Sequence, residues 1–119
     1  MGGKDAFVER LEYGFRNRLV KYDNEPGFLA PWAFSHAGRP DLASYWVHDT
    51  MDKGFDLKGY PGNEDTGSMG SWYIFCYLGF FPNAGQDLYY LSAPRCTSAE
   101  IRLADGKTLR IKANAAKGN

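Results

Sequence analysis

The sequence predicts a mainly α-helical chain that ends in a short β segment. Three observations carry this. Apolar residues recur at helical spacing through the first fifty positions. A strongly apolar run, Trp72 to Phe81, follows a glycine-rich stretch. From Asp87 the apolar period falls to two and closes on an Asp105-Gly106 turn. At 119 residues the chain is one domain's worth, or less. With 44% hydrophobic residues and no net charge it is too apolar and too neutral for a disordered chain.

Each element has its own signals. Asp5 is placed to cap a first helix whose apolar face is Phe7, Val8, Leu11 and Phe15 and which ends near Asn17 or Arg18. A loop follows, containing Asp23-Asn24-Glu25-Pro26-Gly27. A second helix is expected from Pro31 to Ala37, with Pro in the first turn and Gly38 past the end. After Arg39-Pro40, Asp41 is expected to cap a third helix with Leu42, Tyr45, Trp46 and Met51 inward. Glycines at 54, 59, 62, 67 and 70 punctuate the next stretch. A fourth helix, Met69 to Leu78, is apolar on nearly all sides and reads as buried all round. Gly79-Phe80-Phe81-Pro82 stops it. A strand is expected at Leu88–Leu91, then a hairpin of Glu100–Leu103 and Thr108–Ile111 across Asp105-Gly106, then a frayed tail from Asn114.

The zero net charge argues against a nucleic-acid partner, which calls for a basic excess. It hides an asymmetry: residues 22–94 hold nine acids against three bases, so the carboxylates gather where the glycines and aromatics do. That suits ordinary surface charge, or a site for a hard cation or a polyhydroxylated ligand. The longest apolar run, of ten residues, is short of the ~20 that a membrane helix needs. Cys76 and Cys96 have no zinc-type spacing, and Cys76, in an apolar run, reads as a small core residue.

The chemistry-bearing candidates are two loops. Gly62-Asn63-Glu64-Asp65-Thr66-Gly67 concentrates two carboxylates and an amide between glycines. Glycoside hydrolysis uses such groups, one acid to protonate the leaving oxygen and one carboxylate to activate water or attack carbon. Neighbouring side chains in a loop point apart, so Glu64 and Asp65 are not expected to be acid and base of one reaction; a solvated Asn/Asp/Gly turn is the competing reading. Asp23-Asn24-Glu25 offers oxygen ligands of the kind Ca²⁺ takes, or is a plain turn before a helix. His36 reads as a packing or capping residue and His48 as lying on an exposed helix face. Trp32, Trp46, Trp72 and Tyr73 could stack on sugar rings, although core packing is the better reading of each.

Taken together, these stretches resemble glycoside hydrolase family 92, the calcium-dependent exo-acting α-mannosidases. The resemblance is carried by Gly2-Gly3-Lys4 with Phe7 and Leu11, by Asn24-Glu25-Pro26 with Ala37-Gly38-Arg39-Pro40, by the long match Pro61 to Phe75 running on to Leu78-Gly79-Phe80-Phe81-Pro82, and by Ser92-Ala93-Pro94 with the Asp105-Gly106-Lys107 turn. It implies that residues 1–86 are the last helices of an (α/α)6 catalytic barrel and 87–119 its terminal β-strands and tail, with Met1 already deep inside a longer chain. It implies an inverting exo-α-mannosidase, with α-1,2-linked mannose the expected substrate. Asp65 would be the general base, assisted by Asn63 and Glu64, and Asn24 and Glu25 would lie at a calcium and mannose site, the ion gripping the sugar 2- and 3-hydroxyls.

Two departures qualify the match. No Glu-Gly-Asn-x-x-x-Tyr-like stretch, where the family keeps its general acid, occurs here, so the chain alone is expected to be inactive. Phe28 or Leu29 stands where the family usually has His. The family is usually secreted or periplasmic. The rival readings are a non-catalytic carbohydrate-binding fragment and a truncated chain that self-associates through its apolar helix faces.

Overall fold

The computed structural model describes residues 2–114. The expected frayed tail past Asn114 lies outside the described residues. The element order is α1 (Gly3–Arg16), a 3-10 turn (Glu25–Gly27), α2 (Ala33–His36), α3 (Pro40–Gly54), α4 (Ser68–Leu78), then four strands, β1 (Phe80–Pro82), β2 (Tyr89–Leu91), β3 (Ser98–Arg102) and β4 (Thr108–Lys112). The chain is mainly helical with small antiparallel β elements at its end.

The helix boundaries follow from local chemistry, with some shifts. α1 starts at Gly3, so Asp5 sits in its first turn, where a carboxylate favours the helix dipole, rather than at the cap. α3 starts at Pro40, whose fixed φ suits a first helical position, and Asp41 pairs with Arg39 instead of capping. The second helix is one turn, shorter than the expected Pro31–Ala37. Gly67 and Gly79 bracket α4 with φ of 98° and 84°, left-handed values that glycine adopts without strain.

Two apolar clusters hold the chain together. In one, Val8 and Phe15 of α1 meet Phe34, Ala43 and Trp46. In the other, Phe28, Trp32, Val47 and Met51 meet Met69, Trp72 and Cys76 of α4. The buried stripe of α3 is Ala43, Trp46, Val47, Thr50 and Met51, an i, i+3, i+4, i+7, i+8 set. Tyr45, expected inward, falls one position off that stripe and is exposed, as is Phe7 on α1. α4 is not buried all round: Met69, Trp72 and Cys76 are covered, while Ile74 is 60% and Tyr77 43% exposed.

β1 was not expected. Gly79 to Pro82 reads as helix-stop punctuation, yet Phe80, Phe81 and Pro82 pair antiparallel with Leu91, Tyr90 and Tyr89. Trp32 stacks on Phe81 and Tyr90 and fastens this ribbon to the start of α2. The β3–β4 hairpin forms as expected, Ile101 opposite Leu109 and Arg102 opposite Thr108, with Gly106 left-handed in its turn (φ 80°). Between the ribbons the chain returns over α3. Ala93 N–H donates to Ser44 Oγ (3.0 Å), and Arg95 reaches the His48 carbonyl and the Asp52 carboxylate. His48 is therefore not on an open face. It is half-buried, its Nε2 2.7 Å from the Ala93 carbonyl, and burial pushes its pKa down.

Candidate active site

The two chemistry-bearing loops, forty residues apart in sequence, are brought side by side. Backbone contacts do this first. Asn63 N–H donates to the Asp23 carbonyl (3.0 Å), and Gly62 lies so close to that strand of chain that a Cβ would sit 2.2 Å from Asp23 O. Behind them, the buried Trp72 indole N–H donates to the Phe28 carbonyl (3.0 Å), tying α4 to the segment that follows Asn24-Glu25-Pro26. Phe28 packs on one side of that indole and Phe55 stacks on it at 5.7 Å.

Within this frame Glu25 and Asp65 meet. Asn24 Oδ1 accepts the Glu25 N–H (2.9 Å) and opens the 3-10 turn that presents the Glu25 side chain. Ser68 Oγ donates to Glu25 Oε1 at 2.7 Å. That hydroxyl, then the backbone N–H, then the Asp65 carboxyl stabilise ionised Glu25 and hold its pKa below the usual carboxylate range. Asp65 goes the other way. Its hydrogen bond to Glu25, its partial desolvation and the negative charges of Glu25 and Glu64 raise its pKa. The two carboxyls thus pull each other's titration apart, Glu25 favoured as the ionised member and Asp65 as the one that holds its proton to higher pH.

Glu64 points elsewhere, as expected of adjacent loop residues. Its carboxylate accepts the Gly70 N–H at 3.2 Å, satisfying a free donor in the first turn of α4. Asn63 reaches the site through its backbone, and its exposed side chain makes no hydrogen bond among the described residues. The backbone under the candidate base is strained. Asp65, Thr66 and Gly67 are left-handed in succession, at φ 43°, 62° and 98°. For β-branched Thr66 this is a costly conformation, of the kind that collects at functional sites.

Sequence reasoning missed Ser68 and the Asp23 carbonyl as site-building groups. Ser68 carries a signal in retrospect, a hydroxyl directly after a helix-opening glycine. The cation expected at Asn24 and Glu25 finds oxygen donors only, which fits a hard divalent ion in kind. Among the described residues no three His, Cys, Asp or Glu side chains gather as a metal-holding group. A cation there would need carbonyl, water or sugar oxygens besides. Cys76 is inert core, its thiol pushed up by burial, and Cys76 and Cys96 are both free.

The family model for the glycosyl hydrolase family 92 catalytic domain matches residues 1–119. The chain belongs to this family. It is 36% identical over 115 residues to a protein of Arthroderma benhamiae named an uncharacterized secreted glycosidase, covering 94% of this chain and 15% of that one. Among solved structures it is similar to a family 92 α-mannosidase of Bacteroides thetaiotaomicron, with a TM-score of 0.82 and 25% identity over 91% of this chain and 16% of the enzyme. The mannoimidazole complex of the same enzyme superposes with a TM-score of 0.78 at 23% identity, over 91% of this chain and 17% of that one. The family 92 segment described here thus spans about a sixth of the length of these relatives. No helix among its described residues is long and apolar enough to cross a membrane.

Proposed function

We propose that this segment forms one wall of the active site of an inverting exo-α-mannosidase, with terminal α-1,2-linked mannose of a glycan as substrate and Asp65 as the general base. The observation that carries the reading is the closure of the two loops on each other, Asn63 N–H on the Asp23 carbonyl and Ser68 Oγ on both Glu25 Oε1 and the Glu64 carbonyl. It puts the residue expected at the sugar beside the residue expected to take a proton from water. Family membership and the α-mannosidase structural neighbour supply the reaction class.

The roles within the loops are argued by exclusion. An inverting pair needs room for a water between its carboxyls, a separation of roughly 6.5–9.5 Å. Glu25 and Asp65 lie close enough to shift each other's pKa in opposite directions, so Glu25 is not the acid that works with Asp65. Glu64, committed to the Gly70 N–H, is a positioning residue, and Asn63 pins the loop through the Asp23 carbonyl. The general acid then comes from another part of the full-length enzyme, and the isolated segment is inactive. Asn24 and Glu25 would hold calcium, which when bound supplies positive charge and ligand positions for the sugar 2- and 3-hydroxyls. Asp65 must shed its proton before it can act as a base, so turnover is expected to rise with pH through its elevated pKa.

The test is a complete family enzyme carrying this segment with Asp65→Asn. Mannose release is expected to fall by roughly 10²–10⁴-fold. Asn keeps the size of the side chain and tolerates a left-handed backbone, so the fold should persist. Undiminished release would sink the assignment.

A further inference from the structure

Ser68 Oγ lies 2.7 Å from Glu25 Oε1 and 2.8 Å from the Glu64 carbonyl oxygen. A hydroxyl has one proton, so it serves one of these acceptors at a time. The Glu64 carbonyl already takes the Ser68 N–H at 2.9 Å. Ionised Glu25 is the stronger acceptor, and the hydroxyl proton goes there. Among the described residues no other hydroxyl, amide or cationic side chain donates to this carboxylate, so Glu25 Oε2 stays unclaimed by them.

Both partners sit on firmly placed backbone. Ser68 opens α4 between Gly67, left-handed at φ 98°, and Met69, which is fully buried. Glu25 stands in a 3-10 turn whose second residue is Pro26, and whose Gly27 lies so close to the Lys21 carbonyl that no Cβ would fit. The bond therefore joins two fixed points 43 residues apart. Ser68 does not spend its hydroxyl on its own helix. The cap position of α4 belongs to Gly67, and no side chain caps that end.

We infer that Ser68 is a positioning residue that fixes the rotamer of Glu25, so that a ligand meets this carboxylate through Oε2 alone. One oxygen held in this way suits a single sugar hydroxyl, or a single position on a divalent cation that in turn holds the sugar. In both cases sugar binding feels the change. The inference rests on the reading of Glu25 as a sugar-site residue and not on the role of Asp65.

The test is the affinity of a complete family enzyme carrying this segment for mannoimidazole, measured by calorimetry in the presence of calcium. Ser68→Ala should weaken binding roughly tenfold, the scale of a lost hydrogen bond to a charged group. Ser68→Thr keeps the hydroxyl and should bind as the parent does. Glu25→Ala should weaken binding at least as far as Ser68→Ala, and adding Ser68→Ala to it should cost little more, because the two act as one unit. Raising the calcium concentration separates the two ligands. A loss that excess calcium makes good assigns Oε2 to the cation, and a loss that persists assigns it to a sugar hydroxyl. The inference is overturned if Ser68→Ala binds mannoimidazole as the parent does, whether or not its thermal midpoint falls. It is also overturned if Ser68→Thr keeps the parent's midpoint yet binds as poorly as Ser68→Ala. An unchanged affinity in Glu25→Ala overturns both this inference and the placing of Glu25 at the sugar, whereas undiminished mannose release by Asp65→Asn touches neither.

Discussion

The indole of Trp72 is a strut behind the two candidate-site loops, and its worth can be isolated. Trp72→Phe removes the buried 3.0 Å bond to the Phe28 carbonyl and leaves that oxygen unpaired, costing about 1–3 kcal/mol. The smaller ring also gives up on the order of 1 kcal/mol of buried contact. The total, about 2–4 kcal/mol, is a large share of a typical domain's stability. Trp46→Phe is the matched control. Trp46 is similarly buried, but its indole N–H finds no partner among the described residues, so its replacement costs the packing contribution alone. Urea unfolding followed by far-ultraviolet circular dichroism reads both. With a slope of about 1.5 kcal/mol/M, Trp72→Phe should lower the midpoint by roughly 1.3–2.7 M and Trp46→Phe by under about 1 M. If Trp72→Phe costs no more than Trp46→Phe, the strut does not exist and the loops are held by other contacts.

Two further changes probe the site directly. Gly62→Ala places a methyl group 2.2 Å from the Asp23 carbonyl oxygen, so the loops must part; amide exchange at Asn63 should quicken and the thermal midpoint should fall, and an unaltered Asn63 exchange rate would refute the close approach. Glu25→Gln removes the negative charge that helps raise the pKa of Asp65 and adds an amide N–H that can donate to its ionised form, so Asp65 should titrate lower, as read from its side-chain carboxyl carbon by NMR. The pH dependence of stability follows from the two signs. Glu25, lowered in the folded state, contributes stability above its ordinary carboxylate pKa and loses it as pH falls. Asp65, raised, contributes at low pH and loses it as pH climbs through its folded pKa, so Glu25→Gln should flatten the stability profile across the acid range. An unchanged profile would contradict the pairing.

How much of this was readable in the residues depends on how local each cause is. The ends of α4 were legible because Gly67 and Gly79 act on their own backbone, whereas α3 opens at Pro40, which reads as a break, ahead of the cap expected at Asp41. The β3–β4 hairpin was legible because Asp105-Gly106 makes its own turn. β1 was not, since three residues after a helix stop have no strand signal until Tyr89–Leu91 pairs with them. His48 was misplaced because its cover, the Ala93 carbonyl, arrives from 45 residues away. Apolarity alone overstated the burial of α4, because it says nothing about which faces neighbouring chain covers; here Ile74 and Tyr77 stay open. The acid loops were visible as composition, but only the family resemblance joined Asn24-Glu25 to Asp65. The fold adds what neither supplied, the Ser68 hydroxyl that joins Glu25 to the Glu64 carbonyl and the opposed pKa shifts of Glu25 and Asp65.

The left-handed run from Asp65 to Gly67 sets a trap for anyone who engineers this family for robustness. Thr66, β-branched at φ 62°, is the position a stability screen should improve most readily, since Gly or Asn there sheds strain on the order of 1 kcal/mol or more. The same residue joins the proposed base to the helix-opening glycine, so a looser link would let the carboxylate wander from Glu25. Hardiness and catalytic aim are set against each other at a single peptide unit. Heat-selected variants of such enzymes should therefore be assayed for turnover at residue 66 before any other.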